Sequence, residues 1–195
     1  MEPDPVETAM AATPRADFLP LGQQTYADVN RALPIGHGQT NSQPTTVRDM
    51  LRALRVEPGM RVLDVGSGSG WTTALLAHLV GPTGAVTGVE RVPELTVEGS
   101  LALGATGRSW ARIEQARADR LGRPEGGPYD RILVSAQGIE VPAELVDQLD
   151  ERGLMVLPVG GRLLRVDRSG GQEDLGGYVF VPLVRPSGPE PGSSG

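Results

Sequence analysis

The sequence predicts a doubly wound α/β fold with a mostly parallel sheet, and three observations predict it. Residues 61–80 read as a strand that breaks into alternating glycines and opens onto a helix. Short apolar runs then alternate with helical patterns as far as Val159, the order of repeated strand–helix–strand units. After Gly160-Gly161 that alternation stops, and two short runs flanking a glycine-rich turn add antiparallel strands at one edge. A length of 195 residues with 38% apolar content suits one domain with its own core.

Composition narrows the function. The net charge is −6 and all eighteen basic residues are arginine, which argues against a nucleic-acid surface. Without cysteine there is no disulfide framework and no thiolate metal site, and two separated histidines do not suggest zinc. No membrane-spanning run or leader peptide is apparent, so the expectation is a cytoplasmic monomer with neither membrane nor nucleic-acid partner.

In chain order, residues 1–13 are acidic and proline-bearing and are expected to be loosely ordered. One domain is expected over 14–185. Residues 33–44 are rich in Gly, Pro, Asn and Ser, which excludes a central strand or a helix interior. Pro44 suits the first turn of a helix whose apolar face is Val47, Met50, Leu51 and Leu54. Thr40 to Ser42 therefore sit at the mouth of that helix. By composition alone this loop is an ordinary connector.

The strand at 61–65 runs into Gly66, Ser67, Gly68, Ser69 and Gly70, and the helix after it stops at Gly81-Pro82. Glycines let backbone approach a ligand where a Cβ would collide, and the helix start offers N–H donors. Dinucleotide sites use G-x-G-x-x-G, whereas this turn is G-x-G-x-G with Trp71 in the place of the third glycine. That spacing favours a sulfonium nucleoside, which has no pyrophosphate to cradle. Asp64 is then placed to orient the ligand's ammonium group, directly or through water. The next strand, 85–90, ends in Glu90, an acceptor for ribose hydroxyls. A packing turn with no ligand is the competing reading, and Asp64, the turn and Glu90 together outweigh it.

Beyond these come a third strand at 112–116, a buried strand at 129–135, a short helix at 142–149 and a strand at 154–159. The closing hairpin is expected to pair 162–167 with 178–183, and 186–195 reads as a flexible tail.

Several motifs, taken together, carry a resemblance. They are Pro14-Arg15, Phe18-Leu19-Pro20, Tyr26-x-Asp28, the loop Gly38-Gln39-Thr40-x-Ser42-Gln43-Pro44, the glycine turn, Pro128-Tyr129-Asp130, Leu157-Pro158-Val159-Gly160 and Phe180-Val181-Pro182-Leu183. In this order the chain resembles the protein-L-isoaspartate O-methyltransferase family, and the loop before Pro44 is the most specific element. The resemblance implies a seven-stranded Rossmann-like methyltransferase sheet with an antiparallel C-terminal hairpin. It also implies S-adenosyl-L-methionine as methyl donor and the free carboxylate of isoaspartyl residues in damaged proteins or peptides as acceptor.

By the same match Ser42 is the catalytic serine, positioning the substrate carboxylate. Gln39, Thr40, Asn41 and Ser42 line the cleft, Ser69 belongs to the cofactor turn, and Glu90 with Arg91 serves the ribose. Asp119 with Arg120 lies beside the adenine, and Val181 and Val184 contact substrate. His37 and His78 receive only structural or surface roles.

Two departures stand out. The glycine expected after Asp119 is missing and the spacing to Pro128 is one residue short, which alters the adenine edge. A leading helical segment of the family is also lacking, so a thinner cover over the cofactor is expected. Two other functions share the cofactor: methylation of a normal aspartate in a dedicated peptide to form an aspartimide, and a non-catalytic binding module.

Overall fold

A computed structural model describes residues 3–183. Within the stretch 1–13, expected to be loosely ordered, the structure has helix α1 (Pro5–Ala11). The reason was present in the sequence: Asp4 caps the helix by accepting the Val6 N–H at 2.9 Å, and Pro5 occupies its first turn. Val6 and Ala9 are buried in the same cluster as Val47, Met50 and Leu75.

Two short 3-10 turns (Arg15–Phe18 and Leu21–Tyr26) lead to a hairpin of β1 (Leu33–Gly36) and β2 (Gln39–Asn41). This two-stranded sheet stands apart from the main one, as its Gly- and Pro-rich sequence requires. Helix α2 (Pro44–Leu54) follows, with Val47, Met50, Leu51 and Leu54 all buried.

The remaining elements are β3 (Arg61–Val65), α3 (Trp71–Val80), β4 (Ala85–Glu90), α4 (Pro93–Ala105), β5 (Ala111–Gln115), β6 (Tyr129–Val134), α5 (Ala143–Val146), β7 (Leu149–Val159), β8 (Arg162–Asp167) and β9 (Gln172–Gly177). They form one seven-stranded sheet in the order β5-β4-β3-β6-β7-β8-β9, parallel through β7 and antiparallel thereafter. The expected hairpin forms, but its second arm is 172–177 and not 178–183. Residues 178–183 instead run as a strap, with the Tyr178 N–H donating to the Gly161 carbonyl and the Gln137 N–H to the Val181 carbonyl.

The strands alternate their side chains between two cores. Val62, Leu133 and Val156 face the cluster containing α2 and α3, while Leu63, Ile132, Val134, Met155 and Leu157 face the opposite one. A third, small cluster of Leu19, Leu33, Ile35 and Leu95 seats the β1–β2 hairpin against α4. Register sets where ligands can reach. Val65 pairs with Val89 and Val134, and Glu90 pairs with Gln115, so the carboxyl ends of β3, β4, β5 and β6 share one edge. The chain turns opposite ways out of β3 and β6, opening a crevice at that edge.

Candidate active site

That crevice is a cleft of about 410 Å³. Of the residues the sequence singled out, Gln39, Thr40, Asn41, Ser42, Gly66, Ser67, Gly68, Ser69, Glu90, Arg91, Arg120 and Val181 line it. His37 sits on its rim, turned through φ 53° at the hairpin tip, with its Nδ1 4.0 Å from the Glu94 carboxylate. Asp64, Gly70 and Asp119 are not in the lining, and Val184 lies outside the described residues.

Each of the three exceptions has a physical reason. Gly70 has φ 91°, and a Cβ there would stand 2.9 Å from the Gly99 carbonyl oxygen. It allows the close approach of α3 to α4. Asp64 is fully buried beneath the turn, its Oδ2 accepting from the Thr72 and Thr73 hydroxyls at 2.7 Å each. Its Oδ1 has no partner among the described residues. Burial pushes its pKa up to about 6, against those two hydroxyls, and the Glu90 charge adds to the rise.

Asp119 was expected beside the adenine. Its carboxylate is instead taken by Arg117 Nε at 2.9 Å, Arg117 Nη2 at 3.1 Å and Arg120 Nη2 at 3.2 Å. Those hydrogen bonds, Arg117's first, hold it well below the usual carboxylate range. The two arginines, not the acid, face the cleft.

Four N–H groups of the turn itself, those of Gly66, Ser67, Gly68 and Gly70, are committed within the protein. Gly66 and Ser67 donate to the Val89 carbonyl, Gly70 donates to the Ser67 carbonyl, and Gly68 donates to Glu90 Oε2 at 2.8 Å. Glu90 Oε1 accepts from the Arg91 and Val92 N–H groups at 2.7 and 2.9 Å. The turn also offers a ligand hydroxyls. Ser67 Oγ is buried without a partner among the described residues, as is Ser135 Oγ across the cleft. Buried orphan hydroxyls at one site call for a polar ligand or water.

A second groove opens beside the first, lined by Ala32, Gln43, Thr46, Gly161 and the 178–181 strap. Thr40, Ser42, Ser135 and Val181 belong to both. Ser42 thus stands in the wall where the two spaces meet.

Sequence reasoning assigned no role to Arg15, the residue that holds this wall. It is 5% exposed. Its guanidinium donates to the carbonyls of Ala27, Val29, Arg31, Asn41 and Ser42 and to Asn41 Oδ1, and it lies 5.5 Å from the Trp71 ring centroid. Its place in the Pro14-Arg15 motif was the signal available, and its partners lie 12 to 27 residues away. His78 is half-buried beside Arg108, its pKa lowered by burial and by that cation, which fits packing and not catalysis.

Residues 1–188 match the family model described as protein-L-isoaspartate(D-aspartate) O-methyltransferase. The protein-L-isoaspartate O-methyltransferase of Methanocella arvoryzae is 40% identical over 181 residues, covering 90% of this chain and 96% of that one. The enzyme of the same name from Aeropyrum pernix is 46% identical over 186 residues, 90% of this chain and 71% of the relative. A Plasmodium falciparum chain assigned to that methyltransferase type, crystallised with S-adenosyl-L-homocysteine, superimposes with a TM-score of 0.81. It is 24% identical and covers 95% of this chain and 92% of its own, a likeness of fold.

Proposed function

Since the chain belongs to the protein-L-isoaspartate(D-aspartate) O-methyltransferase family, we propose that its two joined cavities divide the reaction between cofactor and peptide, with Ser42 at their junction. The enzyme is an S-adenosylmethionine-dependent carboxyl methyltransferase acting on isoaspartyl residues. The observation that carries the division of space is the wall of Thr40, Ser42, Ser135 and Val181 shared by cleft and groove.

The residues present suit the cofactor. The cleft volume is in the range of small-molecule sites. A carboxylate has about four acceptor positions, and three of those on Glu90 are filled by backbone N–H groups. About one therefore remains for a ribose hydroxyl. The orphan hydroxyls of Ser67 and Ser135 suit polar atoms of the same ligand. When bound, the cofactor supplies a methyl group on a positively charged sulfur.

The chain's own part is alignment. An isoaspartyl carboxylate is already ionised at neutral pH, so no general base is required. Ser42 donates one hydrogen bond that aims the carboxylate, and the apolar strap around Val181 excludes water from the line of transfer. The resulting ester cyclises spontaneously to a succinimide, whose hydrolysis restores part of the population to the normal linkage.

The test offers one isoaspartyl peptide and its aspartyl twin to the purified protein with labelled S-adenosylmethionine. Methyl ester on the isoaspartyl peptide alone is expected. Preference for the aspartyl twin would indicate aspartimide formation, and cofactor binding without transfer a non-catalytic module; either result overturns the reading.

A further inference from the structure

The contacts of Arg15 run in one direction, and their direction has a chemical consequence. A guanidinium only donates, so whatever atom of Asn41 faces it must be the amide oxygen. Arg15 Nε donates to Asn41 Oδ1 at 2.7 Å, which turns Asn41 Nδ2 toward Ser69 Oγ at 3.1 Å. The Ser69 oxygen thereby accepts, and its single proton is left to donate elsewhere. Ser69 lines the cofactor cleft, and Asn41 and Ser69 are only 6% and 9% exposed, so water does not compete freely for these bonds.

Resting on the functional reading above, we propose that Arg15 is a positioning residue that sets the polarity of a relay, Arg15 to Asn41 to Ser69, so that Ser69 presents its hydroxyl proton to the anionic, carboxylate end of the cofactor. The same guanidinium binds the Asn41 and Ser42 carbonyls at 3.0 Å each. One side chain therefore fixes both the donor that holds the cofactor and the backbone that carries Ser42. Burial lowers the Arg15 pKa to about 10, which leaves it protonated, and a donor only, at neutral pH. It forms no ion pair among the described residues; its acceptors are carbonyls and one amide, and neither kind can take a proton from it. The Trp71 ring closes the arrangement from the glycine-turn side, with its Nε1 donating to the Thr13 carbonyl at 3.0 Å.

Asn41→Asp tests the relay without removing Arg15. Aspartate accepts from Arg15 as well as asparagine does but cannot donate to Ser69, whose proton must then turn back toward residue 41. Calorimetry should show S-adenosylhomocysteine binding weakened roughly 10- to 100-fold, the range for one charge-assisted hydrogen bond. Binding of 5′-methylthioadenosine, which lacks the amino-acid end, should be unchanged, and so should the thermal midpoint. Ser69→Ala should cost about the same, and the double variant no more than either alone. A direct charge effect of the new carboxylate would persist on the alanine background. Additive losses, or equal losses for both ligands, would overturn the relay while wild-type binding stands. Failure of the wild type to bind S-adenosylhomocysteine would overturn the functional reading and the relay with it.

Discussion

Replacing Glu90 with glutamine changes one atom and separates two duties that the carboxylate now performs together. Oε1 serves the Arg91 and Val92 N–H groups, whereas Oε2 serves the Gly68 N–H and has the remaining lone pair facing the cleft. A glutamine keeps its oxygen where two donors demand it, which places its NH2 against the Gly68 N–H. One charge-assisted bond is lost and two donors confront each other, so the turn should loosen by roughly 1.5–3 kcal/mol. Cofactor affinity should fall with it, by about 10- to 100-fold. Because about one acceptor position is free, only one of the two ribose hydroxyls can depend on Glu90.

Titration calorimetry with S-adenosylhomocysteine and its 2′-deoxy and 3′-deoxy analogues reads this directly. Removing one particular hydroxyl should cost affinity in the wild type and almost nothing in Glu90→Gln, while the other hydroxyl shows no coupling. Unchanged affinity in the variant, or equal coupling to both hydroxyls, would refute the assignment.

Ser42→Ala should lower single-turnover methyl transfer by about 10²–10³ while leaving thermal midpoint and cofactor affinity in place; a loss of stability with unchanged turnover per folded molecule would reduce Ser42 to a loop support. Asp64 carries a folded-state pKa of about 6, above its unfolded value near 4. The folded state therefore holds the extra proton between about pH 4 and 6, and stability falls as pH rises through that window. Asp64→Asn should flatten this decline in thermal midpoint between pH 4.5 and 6.5, and parallel slopes for both proteins would contradict it. Asp119→Asn should leave S-adenosylhomocysteine affinity within about threefold, because one carboxylate bond to a ligand would be worth tenfold or more; a loss of that size would return Asp119 to the adenine.

The features legible in the sequence are those set by neighbouring residues. The strand, glycine turn and helix of 61–80, the helix opened by Pro44 and the strand ending at Glu90 each follow from periodicity and a terminating residue, and each stands where expected. The second hairpin arm was misplaced because Gln172–Gly177 is an edge strand with an exposed, largely polar surface, so no alternation marks it. The apolar run after it, Tyr178 to Leu183, gave the stronger strand signal, yet it packs as a strap under the demands of the neighbouring loops. Asp119 stands outside the cleft lining for a different reason. One missing residue and two flanking arginines let the acid pair locally, and position along the chain does not reveal such a competition.

The cleft and the wall it shares with the groove therefore differ in kind. The cleft is built where β3 meets its own helix, and Asp64 Oδ2 and Glu90 Oε2 are met by groups a few residues away or beside the adjoining strand. The wall it shares with the groove hangs from Arg15, which ties residues 27–31 to residues 41–42 around the β1–β2 hairpin. Carbonyls left without a partner are costly, and one buried cation meets five of them, buried or part-buried, at once. This matters for a reaction that needs no proton removed from its nucleophile, because rate then depends on distance and line of approach. In the proposed relay, a buried donor bonded to both Asn41 and the Ser42 carbonyl holds that geometry from behind the wall. It also accounts for an arginine, with no carboxylate partner among the described residues, being buried beside the site.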